Sequence, residues 1–309
     1  MHRRNFLHTS LRYSSAAALC AAPISAQSSA QGSAQSPPPN SAPNHRSSVM
    51  LWTLKGPFEQ KLEIAAHAGL QSVELVDEHL AWSDSQIEEK KRFARSLHLG
   101  MDTLIAQPSW KTRPVSMVRP EHSANFLADL DRALVFAQKL EIPQVILMSG
   151  DEVPGRTHEE QYQSLLDNSR RAADLAAKAN LQLIIEPLNS KVDHHDFFLT
   201  TCVEGLKLVK QVDNPHFRLL FDIYHEQVQT GNVIRTLKAA APYVAVFHIA
   251  DNPGRNDPGS GEMNYANIYQ AIAGTGYKGY VTMEYLPIGD QLQSLTRSVS
   301  SMRAALNPA

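Results

Sequence analysis

The stretch EEQYQSLLDNSRRAADLAAKANLQLIIEP, residues 159–187, changes its periodicity once. Up to Asn180 its apolar side chains recur at helical spacing, and Asn is a residue that tolerates the left-handed turn closing a helix. The following LQLIIEP (181–187) is a short, nearly continuous apolar run that ends on a glutamate and a proline. Such a run has the length of a strand, and a strand apolar on both faces needs cover on both faces. A helix feeding a doubly covered strand is the repeating unit of a parallel α/β fold.

The same unit recurs in both directions along the chain. Strands are predicted at VMLWTL (49–54), SVELV (72–76), MDTLI (101–105), QVILMS (144–149), FRLLFDI (217–223), VAVFHIA (244–250) and GYVTMEY (279–285). Between them lie amphipathic stretches such as FEQKLEIAAHAG (58–69), DSQIEEKKRFARSLHLG (84–100) and SANFLADLDRALVFAQKL (123–140). Eight strand–helix units within residues 49–309 predict a single-domain (β/α)₈ TIM barrel. No nucleotide-binding glycine fingerprint follows the first strand, which disfavours an open dinucleotide-binding sheet.

The N-terminal region reads differently. Residues 1–26 have a basic start, a short apolar middle and a small-residue exit, the pattern of a cleaved export signal, and Arg3 and Arg4 give it a twin-arginine character. Export to the periplasm is the expected localisation. Residues 27–48 are Ser, Ala, Pro, Gln and Asn with little to bury, and are predicted to be a disordered linker. The apolar middle is shorter than the roughly 20 residues of a spanning helix, so no stable membrane insertion is expected. Removal of Cys20 with the signal would leave Cys202 alone and exclude an internal disulfide. Of 29 basic residues, four (Arg3, Arg4, Arg12, Arg46) precede Val49, leaving 25 against 31 acidic ones, and this balance disfavours a nucleic-acid partner.

In a TIM barrel the chemistry sits at the C-terminal ends of the strands. Four such ends carry groups able to bind a metal: Glu186, Asp222, His248 and Glu284, separated by 36, 26 and 36 residues, one barrel unit per step. Three carboxylates converging in a buried place repel one another and raise each other's pKa unless a cation neutralises them. One divalent ion is therefore predicted, and an oxygen-rich set with one imidazole suits Mn²⁺, Mg²⁺ or Co²⁺. The other histidines, His67, His79, His98, His122, His158, His194, His195 and His216, fall in predicted helices or loops and read as ordinary surface or packed residues.

The motifs EPLN (186–189), FDIYH (221–225), IADNPGR (249–255), GSGEMNY (259–265) and MEY (283–285) together resemble the hydroxypyruvate isomerase group of the xylose isomerase-like barrel superfamily. The resemblance is dense over residues 181–287 and thinner, mainly in periodicity, before them. It implies one divalent metal on Glu186, Asp222, His248 and Glu284, with Glu186 and Glu284 as the catalytic acid/base pair and His225, Arg255 and Asn189 as substrate-binding residues. The implied activity is isomerisation of an α-hydroxy carbonyl compound, hydroxypyruvate-type or a small sugar, through an enediolate. His248 stands where hydroxypyruvate isomerases typically carry Gln and ketose 3-epimerases carry His. Epimerisation and a related sugar or inositol lyase-dehydratase reaction are thus the alternatives, and non-enzymatic sugar binding is a further one. Three-zinc DNA-repair endonucleases of the same superfamily need a later Asp-x-His, and no histidine follows His248. Oligomerisation is left open.

Overall fold

The structure, a computed structural model, describes residues 45–306. The predicted export signal and all of the predicted linker except residues 45–48 lie outside these residues. Eight parallel strands, β1 (Arg46–Met50), β2 (Ser72–Leu75), β3 (Gly100–Ile105), β4 (Gln144–Leu147), β5 (Gln182–Ile185), β6 (Phe217–Asp222), β7 (Val244–Ile249) and β8 (Tyr280–Met283), form a closed barrel in chain order. Closure is made by β1 against β8, with Arg46 opposite Tyr280 and Val49 opposite Met283.

Nine α-helices among the described residues join the strands: α1 (Phe58–His67), α2 (Asp84–Ser96), α3 (Ser123–Leu140), α4 (His158–Ala179), α5 (Cys202–Val212), α6 (Ile223–Gln229), α7 (Val233–Ala240), α8 (Tyr265–Gly274) and α9 (Gln291–Leu306). Local chemistry sets their ends. Thr157 and Glu160 form a reciprocal capping box that starts α4, and Asn180, in the left-handed conformation at φ 53°, closes it. The residue at φ 57° after α2 is His98, whereas Gly100 opens β3.

The first strand differs from its prediction. It begins at Arg46 and stops at Met50, and Leu51–Thr53 turn into a 3₁₀ helix. The reason is polar. Ser47 backbone N–H donates to the Gln71 side chain (3.0 Å), and Ser48 Oγ donates to Asp102 Oδ1 (2.5 Å) inside the barrel, so the strand opens on polar residues that carry no apolar periodicity. Residues 45–48 therefore belong to the barrel and not to the predicted linker: His45 is buried, and Arg46, Ser47 and Ser48 pair with β8.

The apolar core includes fully buried Val73, Leu104, Ile146, Ile184, Leu220 and Phe247. The barrel interior is more polar. Ser48, Glu74, Asp102, His248 and Thr282 all point at one another there and are wholly buried.

Candidate active site

Glu186 follows β5, Asp222 ends β6, His248 lies in β7, and Glu284 follows β8. Parallel pairing sets Asp222 opposite His248 and His248 opposite Thr282. Backbone bonds from Glu186 N–H to Leu147 O (3.2 Å) and from Glu284 N–H to Ile249 O (3.1 Å) continue the ladder past the last strand residues. The four side chains thus reach one height on adjacent strands, and one ligand atom from each lies within 4.8 Å of the others. All four are buried, with at most 5% of any residue exposed.

His248 Nδ1 is 2.8 Å from Glu284 Oε2 and 3.6 Å from Glu186 Oε1, the second too long for a hydrogen bond. Arg255 Nη2 reaches Glu284 Oε1 at 2.8 Å and Asp222 Oδ2 at 3.8 Å. Trp52 Nε1–H donates to the same Glu284 oxygen (2.9 Å). The Arg255 guanidinium also lies 5.1 Å from the Trp52 ring centre and 5.3 Å from that of Tyr224, so two aromatic faces hold it.

The charges are out of balance. Burial and the Glu284 charge push the Asp222 carboxyl well above the usual carboxylate range, against the pull of Arg255. Burial raises Glu186 as well, with His248 opposing and Glu284 adding to the rise. Glu284 goes the other way: despite burial, Arg255 and His248 hold it well below its ordinary value. Against its own burial, His248 is raised well above the ordinary imidazole value by Glu74 and Glu284. Without an ion the cluster needs borrowed protons to stay neutral. Glu186 Oε1 has no hydrogen-bond partner, although Glu186 is only 3% exposed. Three oxygen donors, one imidazole nitrogen and a shortage of positive charge fit a hard divalent cation.

Beside this cluster lies a cavity of about 270 Å³ lined by Glu186, Glu284, His194, His225 and Arg255 on its polar side. Trp52, Trp110, Val76, Ile105 and Met148 are among the residues of its apolar side. His225 Nδ1 accepts from Asn189, from the backbone N–H at 3.2 Å and the side-chain Nδ2 at 2.6 Å. Burial, and then Arg255, depress the His225 pKa well below its ordinary value, so the ring is neutral and its proton sits on Nε2. That N–H is buried without a protein partner, a donor suited to a substrate oxygen.

The structure separates the roles of the three expected substrate contacts. His225 and Arg255 line the cavity; Asn189 does not. Its side chain is fully buried, accepts from the N–H groups of Val192 and Asp193, and donates to Asp193 and His225. Asn189 orients His225. The IADNPGR and GSGEMNY motifs are likewise explained: Asp251 accepts from the backbone N–H of Asn252 (2.8 Å), Gly259 (2.6 Å) and Met263 (3.1 Å), which folds the loop that carries Arg255.

His194, read from the sequence as ordinary, lines the cavity instead, 5.5 Å from the His225 ring, with its pKa lowered to about 4 by burial and Arg255. Trp52, Trp110 and Glu74 were also missed. The signals available were weak: Trp52 falls inside the predicted strand 49–54 and comes just past the strand end only because β1 stops at Met50, and Glu74 is a lone acid in the apolar run SVELV. A larger hollow of about 620 Å³, bordered by Arg119, Asp151, Arg156 and His158, holds none of the four clustered residues.

The family description "xylose isomerase-like TIM barrel" matches residues 62–304. The chain belongs to this xylose isomerase-like family. A hydroxypyruvate isomerase of Escherichia coli K12 is 31% identical over 248 residues, 78% of this chain and 93% of that protein. A 2-oxo-tetronate isomerase of Pectobacterium atrosepticum is 29% identical over 236 residues, 75% of this chain and 88% of that protein. Among solved structures, a Brucella melitensis chain described as an AP endonuclease, family 2, superposes with a TM-score of 0.75 at 26% identity, covering 83% of this chain and 98% of that one. An L-ribulose 3-epimerase shares the fold at a TM-score of 0.72 and 16% identity, covering 85% of this chain and 94% of that one.

Proposed function

We propose that the protein is a metal-dependent isomerase acting on a small α-hydroxy carbonyl substrate of the hydroxypyruvate or sugar type, with Glu186 and Glu284 as the acid/base pair. One observation carries this reading: a buried Glu186–Asp222–His248–Glu284 cluster meets, through Glu186 and Glu284, a cavity that neutral His225 and charged Arg255 also line. The relatives named hydroxypyruvate isomerase and 2-oxo-tetronate isomerase support the reaction class.

A divalent ion on the four ligands would neutralise the acids and stabilise the negative charge that develops when a C–H beside a carbonyl is deprotonated. The remaining work falls to the chain. Arg255 and Trp52 both bind Glu284 Oε1, which fixes the carboxylate plane for proton transfer. His225 Nε2–H donates to a substrate oxygen, oriented by Asn189. The aromatic and aliphatic wall keeps water from the enediolate. Glu186 and Glu284 come from strands separated by two others, an arrangement that lets one remove a proton and the other return it. Return to the adjacent carbon is isomerisation, and return to the same carbon from the other side is epimerisation.

Ketose 3-epimerisation is the second reading, favoured by His248 as the nitrogen ligand and by a cavity walled by Trp52 and Trp110. Hydrolysis of nucleic acid is disfavoured by the acidic balance of the barrel and by a cluster with a single histidine. The test is to incubate Mn²⁺-loaded protein with hydroxypyruvate and a panel of ketoses in D₂O, following products and C–H exchange by NMR. Wild type is expected to exchange and convert at least one of these compounds, and Glu284→Gln to lose turnover while still melting cooperatively in EDTA, at a lower temperature because Arg255 and His248 lose a charged partner. A Glu284→Gln protein of near-normal activity would remove Glu284 from the chemistry.

A further inference from the structure

His248 has two ring nitrogens, and only one of them faces the other three acids. Nδ1 is drawn to Glu284 and Glu186, while Nε2 points back into the barrel, 3.0 Å from Glu74 Oε2. Both His248 and Glu74 are completely buried, and neither Nε2 nor Oε2 has a well-aligned hydrogen-bond partner. The two atoms face each other at a distance that a straightened bond would satisfy. The alignment is bent in the ion-free cluster, where Nδ1 is held by Glu284.

Glu74 is itself fixed. Its other oxygen, Oε1, accepts from Thr282 Oγ1 at 2.7 Å, and Thr282 is the residue paired with His248 across β7 and β8. Beside it on the adjacent strand β3, Asp102 is held by Ser48 Oγ, and burial together with the Glu74 charge raises the Asp102 carboxyl well above the usual carboxylate range. A carboxylate in the middle of a barrel is costly unless a positive or donating group pairs with it, and the His248 ring is the cationic group beside Glu74.

We propose that Glu74 is a positioning residue for His248. It accepts the Nε2 proton and so keeps Nδ1 bare and aimed at the cation. An imidazole binds a metal only through a nitrogen without a proton, and the group receiving the other N–H selects the tautomer and the ring orientation. This inference rests on the metal-centre reading above and extends it to a residue that touches neither cavity nor substrate.

Two measurements test it. The first uses protein with ¹⁵N-labelled histidine and long-range ¹H–¹⁵N NMR, with Zn²⁺ as the diamagnetic probe and the His248 signals assigned from their loss in His248→Gln. Wild type should carry its proton on Nε2 and lack one on Nδ1; a proton on Nδ1 overturns the proposal. The second titrates Mn²⁺ into EDTA-stripped wild type, Glu74→Gln and Glu74→Leu by calorimetry. Glu74→Leu should bind about 10- to 100-fold more weakly. Glu74→Gln, whose carbonyl can still accept, should recover most of that loss. Affinity unchanged within about twofold in a folded Glu74→Leu protein overturns the proposal. Should Glu74→Leu fail to fold, the wild-type tautomer and the Glu74→Gln titration decide it. Wild type that binds no divalent ion refutes the metal-centre reading and this proposal with it, whereas wild type that binds tightly beside an unchanged Glu74→Leu overturns the proposal alone.

Discussion

A single buried imidazole shows how much one residue's surroundings decide. His79 is 1% exposed, packs edge-on against Phe136 with ring centres 5.0 Å apart, and has no partner for Nδ1. Burial lowers its pKa to about 4, with the Asp77 charge opposing. Between pH 6.5 and 4 the unfolded chain binds a proton that the folded chain refuses, so stability falls as pH drops through this window and is level above it. The shift corresponds to about 3 kcal/mol at pH 4. His79→Leu should unfold in urea at a similar midpoint to wild type at pH 7.5 and at a higher one at pH 4.5; equal acid sensitivity would show that His79 is not the cause. At this scale the sequence was legible where a polar residue ended an apolar strand, as with Glu186, Asp222, His248 and Glu284. It was illegible for His194 and Trp110, which reach the cavity from loops whose path no local periodicity encodes, and for Glu74, which interrupts a strand without ending it.

At the scale of elements, the close approach of α5 to the barrel fixes the strand end that carries Glu186. Gly205 sits on the buried face of α5, and an added Cβ would lie 2.8 Å from Leu219 Cδ1 and 2.9 Å from Pro187 Cγ. Alanine would gain about 1 kcal/mol in helix propensity. Here the clash outweighs that gain, because Leu219 is fully buried in β6 and Pro187 is a rigid ring bonded to Glu186. Gly205→Ala should therefore be destabilising by about 1–3 kcal/mol and should also weaken Mn²⁺ binding, read from melts in EDTA and from calorimetric titration. A stabilised protein with unchanged affinity would mean that α5 has room to move. Seven of the eight strands were legible to within about two residues because their apolar runs are bounded by turns. β1 was misplaced because Ser48 bonds inside the barrel, and a polar side chain turned inward looks, in sequence, like one turned to solvent.

Over the whole molecule, closure of eight strands crowds Glu186, Asp222 and Glu284 together, so stability and function should pull in opposite directions at one residue. Asp222 is 1% exposed with its carboxyl raised well above the ordinary range by burial and Glu284, and its Oδ1 also accepts the His225 N–H (2.9 Å) that starts α6. Asp222→Asn keeps an oxygen for that cap and removes the ionisable carboxyl. In EDTA the variant should melt above wild type, by an amount corresponding to about 1–2 kcal/mol, since folding no longer has to protonate or bury that carboxylate. With Mn²⁺ at about 100 times its dissociation constant, wild type should gain about 2.7 kcal/mol, or roughly 5–10 °C in Tm. The variant, one ligand short, should gain little, so the order of the two melting curves reverses when the ion is added. A variant that keeps the full Mn²⁺-dependent shift would exclude Asp222 as a ligand. One that melts below wild type in EDTA would show that Arg255, 3.8 Å from Asp222 Oδ2, already compensates the cluster.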